Sequence, residues 1–244
     1  MRTATFPSES ALVDCLKDAM SEVVDLASPH VMTVEFPLGR RSVDIAYAEF
    51  PCLDGLTDAD FAISLSNLSG SEMLVLARFA SGRRVNRHLL LQHFWIDWQT
   101  LKERFLDGLV EAGLLRQYGE ATFEPTEWVS FLPTRVLTVE AKLTDWRDAL
   151  QQASYNRAYT SDSYVAFPAS ETVRIEQSLN AFRSARVGVA LVDPGDGVSV
   201  RLLARGGGSM RGIKPHFARL RVLCDLCADT GRWAVIPATA KGRK

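Results

Sequence analysis

Asp44, Glu140 and Lys142 are the residues of this chain whose types and spacing best suit chemistry. Asp44 lies in Ser42-Val43-Asp44-Ile45-Ala46, just after the turn-like Pro37-Leu38-Gly39-Arg40. Glu140 and Lys142 lie in Val136-Leu137-Thr138-Val139-Glu140-Ala141-Lys142-Leu143. Period-two alternation along a strand puts Glu140 and Lys142 on one face and Leu137, Val139 and Ala141 on the other. Two carboxylates and an ammonium at the edge of a small apolar sheet are costly to desolvate unless something uses them. A hard cation such as Mg2+ takes carboxylate oxygens, backbone carbonyls and waters, and Mn2+ substitutes in such sites. Asp44 and Glu140 would then be ligands, with the carbonyl of Ala141 beside them. A neighbouring ammonium, here Lys142, can hold a phosphate oxygen or help activate a water. These are the parts of metal-assisted phosphodiester hydrolysis. A plainer reading makes Glu140 and Lys142 a surface pair and Asp44 a turn residue.

Several elements must position these groups. Residues 8–27 read as an amphipathic helix, with Ser8 or Ser10 as cap and an apolar stripe of Leu12, Leu16, Ala19, Met20 and Val23. Residues 31–36 and 42–48 read as an antiparallel hairpin across the turn at 37–41. Residues 135–143 read as the central strand. A helix follows from about Thr144, the expected N-cap, to about Tyr159, and then a strand over 164–167, forming a parallel βαβ crossover. A helix at about 171–185, a strand at 187–192, the turn signal Asp193-Pro194-Gly195-Asp196-Gly197, a strand at 198–203 and a last helix at about 215–228 complete an α/β core with a mixed sheet.

Asp44 followed by Glu140-Ala141-Lys142 resembles the PD-(D/E)xK nuclease superfamily, the restriction-endonuclease-like fold. Val43 stands where the family carries proline. Gln151-Gln152-Ala153-Ser154-Tyr155 is similar to the Gln-x-x-x-Tyr motif of some branches, and Ser163-Tyr164-Val165-Ala166-Phe167-Pro168 matches the strand that follows it. The resemblance covers roughly residues 8–50 and 131–205. It implies a Mg2+-dependent deoxyribonuclease in which Asp44 and Glu140 hold the metal with Ala141, Lys142 acts on the phosphate or the water, and Gln151 and Tyr155 line the site. A first-helix glutamate often joins such sites. Glu9, three residues before Leu12, fits that pattern, and Glu22 is the alternative.

Asp44 and Glu140 are 96 positions apart, far more than the family usual, and residues 69–126 carry a pattern of their own. Three helical stretches, 71–79, 86–94 and 97–112, are followed by Gly113 and by two short strands around Gly119-Glu120, with Asp97 as an N-cap. This looks like a winged helix-turn-helix inserted into the nuclease fold. The expected organisation is a core at 1–55, the insert at 56–130, the rest of the core at 131–230, and a tail at 231–244. Leu53–Leu68 and Pro125–Pro133 serve as connectors. Arg83, Arg84 and Arg87 lead into the second helix. Gln99, Lys102 and Arg104 on the third helix are candidate major-groove contacts. Seven Lys+Arg against five Asp+Glu over residues 70–118 make the insert only weakly basic, so docking of a protein partner or a second copy stays open.

Composition is that of an ordinary globular protein, with 47% hydrophobic and 23% charged residues in 244. Net charge is −1, which excludes a global polycation. Residues 201–244 nevertheless hold ten Lys+Arg against Asp225 and Asp229, and the rest of the chain is correspondingly acidic. A basic segment beside an acidic, metal-binding body suits a polyanion. Cys224-Asp225-Leu226-Cys227 has no second pair, which argues for core thiols over zinc. Gly206-Gly207-Gly208 lacks the strand–helix context of a phosphate loop and reads as a turn. No apolar run reaches a membrane span and the N-terminus lacks a signal-peptide core, which predicts a cytoplasmic protein without a membrane partner. The expected function is a metal-dependent DNA endonuclease, of a kind suited to defence, restriction or mobile elements. The alternative is a non-catalytic DNA-binding regulator or nuclease-complex subunit on the same fold.

Overall fold

Helix α1 (Glu9–Val23) begins where Ser8 accepts a hydrogen bond from the Ala11 amide at 3.2 Å, satisfying one of the helix's orphan donors. Its stripe of Leu12, Leu16 and Met20 is fully buried, so packing rather than propensity holds it. The computed structural model describes residues 5–26, 29–56, 59–195, 197–204, 212–228 and 231–236. The side chain of Glu22, the Gly206–Gly208 run and the tail from residue 237 lie outside the described residues.

Strands β1 (His30–Leu38) and β2 (Arg41–Glu49) form the hairpin, turning at Gly39, whose φ is +66°. Glycine is required there twice over. The left-handed backbone disfavours a side chain, and a Cβ would lie 2.5 Å from the Tyr155 hydroxyl. Next come α2 (Phe61–Ser66) and α3 (Gly70–Leu76), the latter opened by a Ser69/Glu72 capping box and continued by a 3₁₀ turn, Ala77–Phe79. Strand β3 (Val85–Asn86) leads into α4 (Arg87–Leu91), which Asn86 caps. Helix α5 (Trp98–Leu101), capped by Asp97, passes through a π-helical turn (Lys102–Leu106) into α6 (Asp107–Glu111). Gly113 (φ +71°) ends that helix before the hairpin of β4 (Leu115–Tyr118) and β5 (Thr122–Pro125). A 3₁₀ turn (Glu127–Phe131) precedes β6 (Arg135–Ala141), α7 (Trp146–Asn156), β7 (Asp162–Pro168), α8 (Thr172–Ala185), β8 (Gly188–Asp193) and β9 (Gly197–Leu202). Helix α9 (Ile213–Cys227) and strand β10 (Ala234–Ile236) follow.

The chain divides into two compact units. The first comprises Met1–Glu49, Arg135–Met210 and Trp233–Lys244. It holds a seven-stranded mixed sheet in the order β10-β1-β2-β6-β7-β8-β9, with β6, β7 and β8 parallel and the other pairings antiparallel. One apolar layer joins α1 to Ile45, Tyr47, Leu137, Val139 and Ala141. The other joins α7 and α8 to Val165, Phe167, Val189 and Leu191. Alternation therefore puts Asp44 and Glu140 on the α7 side of the sheet. The second unit comprises Phe50–Thr134 and Arg211–Arg232, with its own three-stranded sheet in the order β3-β5-β4.

Four expectations are corrected. Helix α9 belongs to the second unit and not to a core running to residue 230. Its buried Ala218, Leu220, Val222 and Leu223 need an apolar partner, and α2, α3 and the 3₁₀ turn supply it. Residues 231–244 are not all tail, since β10 pairs with β1 through His30↔Ile236 to Met32↔Ala234. The connector at 53–68 contains α2, whose Phe61, Ala62 and Leu65 are core residues. Asp145 rather than Thr144 caps α7, accepting from the amides of Arg147 and Asp148.

Candidate active site

Strands β2 and β6 pair from Glu49↔Arg135 up to Ile45↔Val139, and there the ladder stops. Beyond it the Asp44 side chain takes the place of a backbone partner. Its Oδ2 accepts the Ala141 amide at 2.7 Å. That substitution fixes Asp44 against the end of β6 and brings it to Glu140, which is 3% exposed. The two carboxyl groups lie within hydrogen-bonding reach of each other. The other face of Glu140 is held from α7, where the buried Asn156 donates from Nδ2 to Glu140 Oε1 at 2.6 Å. Asn156 is itself tied in, because its carbonyl accepts from the Thr160 hydroxyl and from the Tyr159 amide.

Electrostatics follow from this packing. Burial pushes the Glu140 carboxyl up from its ordinary 4.5 to about 7, and the adjacent Asp44 adds to the effect. The Asn156 amide and the Lys142 ammonium oppose it. Asp44 is also raised by burial, against the pull of the Ala141 amide and Lys142. Lys142, one residue past β6, reaches Glu9 of α1, with Nζ 3.4 Å from Oε2. The Lys142 side chain is 18% exposed and that of Glu9 is 48% exposed. The structure thus gathers Asp44, Glu140, Lys142 and Glu9, from α1, β2 and β6, at one end of the sheet.

The α7 residues behave differently. Gln151 is exposed, and no hydrogen bond joins it to the carboxylates among the described residues. Tyr155 turns to the hairpin tip. Its hydroxyl accepts the Arg40 amide at 3.4 Å and lies 3.3 Å from the Tyr159 hydroxyl, while the Arg41 guanidinium sits 5.8 Å from its ring. The helix face that meets Glu140 is the one carrying Asn156, one residue round from the Gln151–Tyr155 face. Gln152, on that same line, bonds Asp148 at 2.7 Å. Gln152 and Asn156 are spaced i, i+4 just as Gln151 and Tyr155 are, so spacing alone does not say which of the two faces meets Glu140.

No family model matches this chain, and no curated protein or solved structure matches it either. Among the described residues, no three His, Cys, Asp or Glu side chains converge into a metal cage. Two carboxylates and a strand-end carbonyl fit Mg2+, which keeps several waters and binds through one or two carboxylates plus substrate phosphates. They do not fit a closed zinc or calcium site. Two carboxyl groups buried side by side repel when both are ionised, and a divalent cation between them would offset that repulsion.

The candidate DNA contacts of the second unit are all at its surface but are unequally free. Arg83, Arg84 and Arg87 are exposed near the start of α4. The Arg84 guanidinium pairs with Glu124 at 2.7 Å and stacks 3.8 Å from the Tyr118 ring centroid. Arg87 lies 5.4 Å from that of Trp98. Gln99 donates to Glu103, and Lys102 is ion-paired with Asp107. Arg104 is exposed beside a 390 Å³ cleft that Phe94, Trp95 and Phe105 also line. The Cys224 and Cys227 thiols are buried and half-buried and are raised by burial, as core thiols are.

Proposed function

We propose that this protein is a metal-dependent nuclease of the PD-(D/E)xK type that hydrolyses phosphodiester bonds in DNA. One observation carries the reading. Asp44 and Glu140, 96 positions apart, have their carboxyl groups in contact where β2 and β6 part, with Lys142 beside them. A mixed sheet with helices on both faces and a parallel β6-α7-β7 crossover supports a restriction-endonuclease-like assignment. For the second unit, the succession α3, β3, α4, α5–α6, β4, β5 and the sheet order β3-β5-β4 support a winged helix-turn-helix.

Asp44 and Glu140, with the Ala141 carbonyl, would hold Mg2+ or Mn2+, which when bound supplies charge neutralisation and a more acidic water. The chain's own residues do the rest. The Ala141 amide and Asn156 fix the two carboxylates, so their oxygens need no reorganisation as charge develops. Lys142 presents an ammonium on the same strand end, placed to hold a phosphate oxygen. Glu9 orients that ammonium and keeps a carboxylate at the rim as a proton acceptor.

In the second unit the helix over 98–111 carries Lys102 and Arg104 against Glu103, Asp107 and Glu111. Its acidic balance favours the edge bearing Arg83, Arg84, Arg87 and Arg116 as the phosphate-facing surface. The test is direct. The protein is incubated with linear, circular, single-stranded and branched DNA, with Mg2+ or Mn2+ and with chelator. Cleavage with metal and none with chelator is expected. Absence of cleavage of every form, together with no calorimetric Mn2+ binding, refutes the reading.

A further inference from the structure

The second unit holds a group of cations that the carboxylate site does not use. Arg78, on the 3₁₀ turn after α3, makes no hydrogen bond or ion pair among the described residues, and its Nε is buried without a partner. His216, in the first turns of α9, likewise has Nδ1 buried without a partner among the described residues. Arg219, one turn further along α9, uses Nε to hold the Pro133 carbonyl and has no carboxylate partner among the described residues. Helix α9 packs on the turn that carries Arg78, which brings the three together. Burial pushes the His216 imidazole down and the nearby Arg219 and Arg78 guanidinium groups add to it, while burial pushes both arginines down with no acid among the described residues to offset it. Desolvated positive charge without a counter-charge is expensive, and native proteins pair it. All three residues are only partly buried.

We infer that Arg78, His216 and Arg219 form an oxyanion site for a phosphate group, separate from the Asp44–Glu140 centre. Guanidinium groups present planar forks that match phosphate oxygens, and a neutral imidazole can donate from one nitrogen or take a proton to become a third cation. The phosphate has two sources of identical chemistry, a nucleic-acid backbone and free inorganic phosphate. The inference does not depend on the nuclease reading.

The chain has four histidines, so His216 can be followed by proton NMR and assigned with His216→Gln. The full protein in chelator is titrated with pH in inorganic phosphate and in chloride at equal ionic strength. Phosphate should move the His216 midpoint upward by roughly one pH unit relative to chloride. Arg78→Gln and Arg219→Gln should each weaken the phosphate response roughly tenfold or more, the effect expected for removing a charged hydrogen bond. Equal midpoints in phosphate and chloride overturn the inference. That comparison uses the unmodified protein, so it decides the matter even if a variant does not fold. A short DNA duplex distinguishes the sources. The same shift at roughly tenfold or more lower phosphate concentration identifies a backbone phosphate, and a response to inorganic phosphate alone identifies a small-anion site. Because chelator is present throughout, failure here leaves the metal centre untouched, and failure of the metal centre leaves this site untouched.

Discussion

Glu140→Gln should make the metal-free protein more stable at pH 8. The Glu140 carboxyl is held at about 7 in the fold against an ordinary 4.5. Below pH 4.5 the folded and unfolded chains both keep this proton, and the stabilisation it brings is fully present. Between 4.5 and 7 only the folded chain keeps it, so stability falls as pH rises and the decline is complete above about 7. At about 1.36 kcal/mol per pH unit, the whole span is about 3 kcal/mol. Glutamine imitates the protonated acid. Its Oε1 can accept from Asn156 as Glu140 does at 2.6 Å, and its amide can donate to Asp44. Urea unfolding of both proteins in chelator, followed by circular dichroism from about pH 4.5 to about 8.5, should give curves that meet at the acid end and separate by up to about 3 kcal/mol at pH 8. Saturating Mg2+ should then recover roughly 2.7 kcal/mol for the natural protein at a hundred times its Kd, and little for the variant. Parallel curves in chelator would refute the raised Glu140 carboxyl. A separation that Mg2+ does not close would refute the metal.

Lys142→Ala should lower single-turnover cleavage at least roughly 100-fold with DNA affinity nearly unchanged, because its hold on the phosphate matters most as charge develops. Activity at the natural level would remove Lys142 from the site. Gly39→Ala should destabilise the first unit by roughly 1–3 kcal/mol in urea melts, since φ is +66° and the Tyr155 hydroxyl fills the space. Replacing residues 56–130 with a short linker should give an aggregating product by size exclusion, because α9 is then deprived of the partners of Leu220 and Leu223. Replacing 50–134 and 211–232 together should leave a folded sheet by circular dichroism. Replacing Arg83, Arg84 and Arg87 together should reduce the slope of log affinity against log salt by about 0.9 for each phosphate that is no longer neutralised, while Lys142→Ala changes it by at most about one.

Much of the first unit is legible in the sequence because its signals are local. Ser8 caps α1, Gly39 demands a turn, and alternation in Val136–Ala141 puts Glu140 opposite Val139 and Ala141. Each depends on neighbours within a few positions. Asn156 was not legible for a different reason. Which face of α7 meets Glu140 depends on a rotation of about 100° per residue, and polar residues at both Gln151–Tyr155 and Gln152–Asn156 leave the choice to tertiary packing. The placement of α9 was hidden likewise. An apolar stripe of Ala218, Leu220, Val222 and Leu223 says that the helix is buried but not against what. Helix α2 is too short, at six residues, to display a period, and its Asp60 makes no capping bond.

The division of both units among separate chain segments has a consequence for synthesis. Each residue leaves the ribosome in order, and β2 waits for β6 across the whole of 50–134 before Ile45 can meet Val139. The second unit begins to emerge during that interval but lacks α9, so its apolar surface stays open until residue 227 has been made. Strand β10, the cover for the β1 edge at His30–Met32, is made later still, after α9. Nascent chains therefore pass through a period with an uncovered sheet edge and an unfilled helical groove, both prone to mispairing. Yield in a cell should depend on chaperone supply and translation speed more than the stability of the finished molecule alone would suggest.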